Sequence, residues 1–261
     1  MNRIEPPNMP AAMCVTSLTA LLGLLLLGSL AACRASETRA PKAELSPAQE
    51  LLARSLAFHD PHSTWGREPM LINWTSTRPD GAIGYVFEVE FAANGDFSLA
   101  GERAGKILDY HVENGVVRAS VDGAEAITDE VRKQMGLARD GGLFWHDYLG
   151  FLGSFPMNLP GADARIDDEV TETELDGSPV LAFDMRFAPE IGHDTYTFYF
   201  EAGTARLVGC RFYREDPAQD GETILFEGEV RVGELRLPRT RRWYTNLDDR
   251  FLGTDEISAG E

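Results

Sequence analysis

From Leu71 onward the chain is built on a period of two. Tyr85, Phe87, Val89 and Phe91 alternate with Val86, Glu88 and Glu90, so one face of this segment is dry and the other wet. Similar strands are expected at Leu71 to Thr77, Phe97 to Gly101, Lys106 to Val112 and Val116 to Val121. A second group follows at Val170 to Leu175, Val180 to Phe187, Thr195 to Phe200, Ala205 to Tyr213, Thr223 to Val232 and Leu235 to Trp243. Turn dipeptides punctuate them: Asp80-Gly81, Asn94-Gly95, Asn114-Gly115, Asp122-Gly123, Asp176-Gly177 and Asp220-Gly221. Such pairs between alternating runs signal hairpins, and short connections make an antiparallel sheet.

Two stretches break the period. Ser46 caps a helix, Pro47 takes its first position and Gln49 completes a capping box. Leu51, Leu52, Leu56 and Phe58 give that helix an apolar face, and Pro61 ends it at or before Asp60. The other break is a mid-chain insert. Thr128 caps a helix with Asp129 and Glu130 in its first turn, expected to end at Asp140-Gly141-Gly142. Leu143 to Leu152 then reads Leu-Phe-Trp-His-Asp-Tyr-Leu-Gly-Phe-Leu, with Asp147 its one formal charge. A helix apolar nearly all round is buried or covers something apolar. A sheet with one dry face needs a second layer, and these helices supply it. The insert is expected against the face that carries Phe87, Val89, Phe198 and Phe200.

The N-terminal pattern is different. An apolar run from about Leu18 contains Leu21 to Leu27 and ends in Leu30-Ala31-Ala32-Cys33. At roughly 15 residues it is too short to span a bilayer, which takes about 20, and it fits a signal-peptide core. Its end resembles a bacterial lipobox, in which cleavage precedes a cysteine that carries lipid. Residues 1–32 are then a leader, 33–45 a flexible tether, 46–257 the folded domain and 258–261 a tail. A plain secretory signal and a short membrane anchor are the competing readings. Arg34 after the cysteine points to the outer membrane, facing the periplasm. Of three cysteines, Cys14 is in the leader and Cys33 is acylated. Cys210 is then alone in an apolar strand, a small core residue rather than a nucleophile.

A net charge of −18 over 261 residues repels nucleic acid and anionic membrane surfaces. The membrane partnership rests on the lipid at Cys33.

The lipobox, the leading helix, the long meander and the aromatic insert together resemble the half-barrel lipoproteins of the LolA and LppX type. More narrowly, Phe58-His59-Asp60-Pro61 with Trp65, and Trp243-Tyr244-Thr245-Asn246 through Phe251 to Asp255, resemble an uncharacterised family of bacterial exported proteins. That family commonly has Tyr at the position of Phe58, and it carries no assigned activity. The resemblance implies an α+β fold: a curved antiparallel sheet, or half-barrel, with helices packed on its concave face.

The chemical motifs are few. His59, Asp60 and His62 read as metal ligands or as residues that pin a helix exit. Pro61 between them favours the second, with His59, Asp60 and Trp65 as structural residues. Trp145-His146-Asp147 reads as a base with its orienter or as a hydrogen-bonded pair in a covering helix. Gly101 to Lys106 is one residue short of a phosphate loop and lacks its Ser or Thr. Asp167-Asp168-Glu169 is a solvated acidic run. Leu237 to Arg242 is the one basic cluster, read as pairing with the acidic remainder or as a partner surface. No cofactor or metal is expected. The leading function is binding or carriage of an apolar ligand, such as an acyl chain or another lipid, with Phe144, Trp145, Tyr148, Phe151, Phe87 and Phe198 as wall residues. A structural or interaction lipoprotein with a filled core is the alternative, and an enzyme comes third.

Overall fold

The computed structural model describes residues 44–160, 164–187, 194–213 and 220–260. The expected leader, Cys33 and nearly all of the expected tether lie outside them. The chain opens with α1 (Pro47–His59) and a five-strand meander: β1 (Met70–Thr77), β2 (Ile83–Phe91), β3 (Phe97–Arg103), β4 (Lys106–Glu113) and β5 (Val116–Val121). The insert holds α2 (Asp129–Gln134) and α3 (Phe144–Gly153). The second half holds β6 (Ala164–Ile166), β7 (Thr171–Leu175), β8 (Ser178–Phe187), β9 (Thr195–Glu201), β10 (Leu207–Tyr213) and β11 (Gly221–Glu227). Last come β12 (Val230–Val232), β13 (Leu235–Leu237), β14 (Thr240–Thr245) and β15 (Phe251–Ala259).

Thirteen described strands form one antiparallel sheet, in the order β5-β4-β3-β2-β1-β15-β14-β11-β10-β9-β8-β6, with β7 also on β8. The sheet does not close. It is an α+β half-barrel, and its curvature can be argued from one helix. Trp145 of α3 packs on Phe87 of β2 at 5.0 Å, and Phe151 of α3 packs on Tyr196 of β9 at 5.6 Å. Six strand steps separate β2 from β9, about 29 Å in a flat sheet. The two helix residues are only about 9 Å apart along the axis. One short helix touches both arms because the sheet wraps around it.

The turns are made by local chemistry. Asn114-Gly115 and Asp176-Gly177 have φ of 50° and 76°, and of 50° and 73°. These are the positive values that a two-residue hairpin of matching twist requires. Ala104-Gly105, inside the stretch that falls one residue short of a phosphate loop, makes the same turn between β3 and β4.

Several expectations need correction. The helix capped by Thr128 ends at Gln134, not at Asp140-Gly141-Gly142, because Gly136 turns the chain at φ 80°. Residues 140–142 form a separate turn of 3-10 helix leading into α3. The run from Thr223 breaks at Gly228, with φ 65°, and that from Leu235 breaks at Pro238, which has no N–H to pair. The four pieces become β11, β12, β13 and β14, and β12 with β13 forms a hairpin outside the main sheet. Strand β15 is an element the alternation does not reveal. It reaches Ala259, so Ser258 and Ala259 pair with Asn73 and Ile72 rather than forming a tail.

Candidate functional site

The trough of the half-barrel is filled by α3. Its rings form two linked groups. In the first, Trp145 stands edge-on to Phe87 and to Tyr85, while Phe144 stacks on Tyr148 at 5.4 Å. In the second, Phe151 meets Phe155 at 4.5 Å, and Phe155 meets Phe198 at 5.3 Å. All six expected wall residues thus lie in one core cluster. Trp145, Phe87 and Phe198 are at most 1% exposed: Trp145 and Phe87 touch each other, and Phe198 packs on Phe155 and Tyr196. The insert does lie against Phe87 and Phe198. Hydrogen bonds fix its entry: Trp145 Nε1 donates to the Met135 carbonyl at 2.8 Å, and the Tyr110 hydroxyl to that of Gly142 at 2.9 Å. His146 Nδ1 lies 2.7 Å from Asp147 Oδ1, and its ring edge meets Phe97.

Beneath α3 runs a row that no sequence motif marks. Register pairs Arg103 with Tyr85, Tyr85 with Ser76, Ser76 with Asp255, Asp255 with Arg241, and Arg241 with Phe226. Paired residues share a face, so a polar band crosses the concave wall from β3 to β14. Arg241 and Asp255 are 1% and 3% exposed. Arg241 donates from Nη1 to the Pro238 carbonyl and from Nη2 to that of Leu152 in α3, both at 3.1 Å. Its guanidinium lies 4.8 Å from the Trp74 ring. Trp243 Nε1 donates to Asp255 at 3.0 Å, and Tyr148 stacks on Trp243. Burial brings Arg241 down to about 10, still a cation at neutral pH. Burial pushes the Asp255 carboxyl up, against the pull of Ser76, Arg241 and Trp243. Burial, then Asp255, drives the Tyr85 phenol well above the ordinary tyrosine range. Of the basic cluster, Arg242 pairs with an acidic residue, Glu227 at 3.0 Å on the outside, while Arg241 is interior and so is no part of a partner surface.

The helix exit divides its residues. His59 Nδ1 donates to the Arg236 carbonyl at 2.5 Å, and its Nε2 accepts from Leu207 N–H at 3.0 Å. Burial above all lowers its pKa to about 4. Asp60 turns away. It accepts from Thr64 N–H at 2.7 Å and from Trp65 N–H at 3.0 Å, and Trp65 packs on Phe91. His62 is exposed, 3.6 Å from Glu234. Both nitrogens of His59 are therefore committed to backbone, and His59 and His62 do not converge. No cluster of metal-ligating side chains occurs among the described residues. Cys210 is buried in β10, where burial pushes its thiol up.

Two recesses lie outside the trough. One of about 490 Å³ is lined by Asp109, His111, Arg118 and Glu125. The other, of about 520 Å³, is lined by Asp167, Asp168, Glu169 and Asp184 with threonines.

No family model and no curated protein matches the chain. Among solved structures it is similar to a LolA superfamily protein from Nitrosomonas europaea, at 12% identity over 82% of this chain and 92% of that one, with a TM-score of 0.44. It is also similar to a putative outer membrane lipoprotein-sorting protein domain from Vibrio parahaemolyticus, at 12% identity, 82% and 88% coverage and a TM-score of 0.43. A third is a DUF1329 family protein from Desulfovibrio piger, at 11% identity, 82% and 92% coverage and a TM-score of 0.42.

Proposed function

We propose that this is a lipid-anchored cell-envelope protein that takes an apolar chain, such as an acyl chain, into the trough now filled by α3. The observation that carries the reading is the position of α3. It is an almost wholly apolar helix lying inside an open half-barrel, joined to both arms mainly by ring contacts. Ring contacts are weakly directional, so an acyl chain replaces them at little cost, while the bond from Arg241 Nη2 to the Leu152 carbonyl is given up. Moving α3 aside uncovers an aromatic wall too apolar to stand open to water. Phe87 lines one arm of that wall and Phe198 the other, while Phe144, Trp145, Tyr148 and Phe151 face the chain from the displaced helix. The anchor is the lipid on Cys33, which holds the domain at the outer membrane on its periplasmic side.

A second reading has its own observation. The rings between α3 and the sheet are buried against one another, as in a solid core. On that reading the protein is a structural or interaction lipoprotein without a ligand.

One variant tests the first reading. Cys33→Ser protein is expected to leave the membrane fraction of cells that retain the wild type. Native mass spectrometry of the released protein is expected to show an added mass in the range of a lipid, lost on denaturation. A variant that stays with the membrane removes the anchor. A bare mass, with no uptake of a fluorescent fatty acid, leaves only the second reading.

A further inference from the structure

The polar row under α3 is unusual for a wall that holds only hydrocarbon. Taking a guanidinium and a carboxylate out of water is costly, and a well-packed apolar pair in their place is often as stable or more so. Arg241 is also incompletely used. Its Nη1 is held by Pro238 of its own chain segment, but its Nη2 bonds Leu152 of the removable helix, and its Nε makes no hydrogen bond although fully buried. Nε and Nη2 form one edge of the guanidinium, with two parallel N–H donors. That edge matches a carboxylate or a phosphate, which accept from both. The Leu152 carbonyl is a single acceptor on a two-donor edge. Asp255 does not fill it: the aspartate takes the Trp243 indole N–H. The second arm is aromatic where Phe155 meets Phe151 and Phe198, and Phe198 stacks on Tyr196.

We infer that the ligand is an anionic amphiphile, a single apolar chain ending in a carboxylate or phosphate that the Nε–Nη2 edge of Arg241 takes side-on in place of the Leu152 carbonyl. This rests on the carriage reading above and adds the chemical class of its ligand. The tail lies along Phe151, Phe155 and Phe198, and the head on the row of Arg241, Ser76 and Tyr85. The exterior, at a net −18, holds anions off; the interior cation is what selects one.

The test is competition against a fluorescent fatty acid on the full-length Cys33→Ser protein, with laurate, dodecyl phosphate, methyl laurate and dodecanol below their micelle concentrations. Laurate or dodecyl phosphate is expected to compete at concentrations roughly tenfold lower than the ester and the alcohol, the effect of one charged hydrogen-bonded pair. A preference for laurate assigns the head to a free fatty acid, and one for dodecyl phosphate to a lipid phosphate; either supports the inference. Arg241→Lys keeps the charge but not the fork. It is expected to lose the preference, so that acid and ester compete at similar concentrations. Equal competition by acid and ester in the unsubstituted site overturns the head-group assignment while leaving carriage intact. Failure of the fluorescent probe itself to bind overturns carriage, and this inference with it. Should Arg241→Lys not fold, the acid-to-ester ratio of the unsubstituted site decides alone.

Discussion

His59 shows what one side chain contributes at the junction of α1 with the second half of the sheet. It joins the helix end to β13 through Arg236 and to β10 through Leu207, and those bonds require one neutral tautomer. The ring is 2% exposed. With its pKa at about 4 in the fold and 6.5 when unfolded, the unfolded chain binds the extra proton first. The stabilisation is therefore complete above pH 6.5 and is lost as pH falls toward 4. Between pH 7.5 and pH 5 the loss amounts to about 2 kcal/mol. His59→Ala, which lacks the bonds, is expected to be less stable by roughly 1–3 kcal/mol at pH 7.5, and the gap to wild type should narrow at pH 5. Urea unfolding of both proteins at the two pH values measures this; a gap that is constant with pH would mean the ring is not held neutral. The sequence made the helix exit legible because Pro61 is a local signal. It did not show Arg241 and Asp255 as interior residues. Alternation places Arg241 on the face of Trp243, but a lone charge among arginines looks like surface until a buried partner from β15 is opposite it.

Among the elements, α3 was the most legible and its surroundings less so. Ten residues with one charge must be buried, and the only apolar face available is the inside of the sheet. The sequence did not show how closely the helix fits. Gly153 faces Phe91, and a Cβ there would lie 3.2 Å from the ring. Phe151 decides between a solid core and a displaceable plug. It is 8% exposed and meets Phe155, Tyr196 and Phe187. If those rings form a fixed core, Phe151→Ala leaves a cavity and costs about 3–5 kcal/mol. If α3 moves to admit a chain, the expected cost is smaller, because the pocket relaxes, and uptake of a fluorescent fatty acid changes. We expect the second pattern, read from the urea midpoint and the probe titration of the same two proteins. A loss at the upper end, in a protein that binds no probe before substitution, leaves the solid-core reading standing.

Across the whole molecule, the last strand joins what the rest of the chain builds in two pieces. Strands β1 to β5 are consecutive hairpins, and so are β8 to β11. Their contacts are local, which is why alternation and turn dipeptides revealed them. Among the described strands, the two halves of the sheet are joined by β15, which pairs with β14 on one side and with β1 on the other. That pairing spans most of the chain, and β15 hides it. Gly253, at φ 137°, sits against the Thr77 carbonyl, and the register shifts beside it between Trp243 and Tyr244. A bulge of this kind puts Leu252 and Gly253 on buried positions in succession and breaks the period of two. Without β15 each half keeps its hairpins but exposes an inner edge and one face of the trough, and Arg241 loses the opposite charge. Ending the chain at Asp249 is therefore expected to abolish the single cooperative unfolding transition. What remains should retain strand signal in circular dichroism, bind a hydrophobic dye and associate in gel filtration, as open apolar edges do. Two halves that stay monomeric and unfold in one sharp transition without β15 would show that the contacts of α1 and α3 hold the half-barrel together.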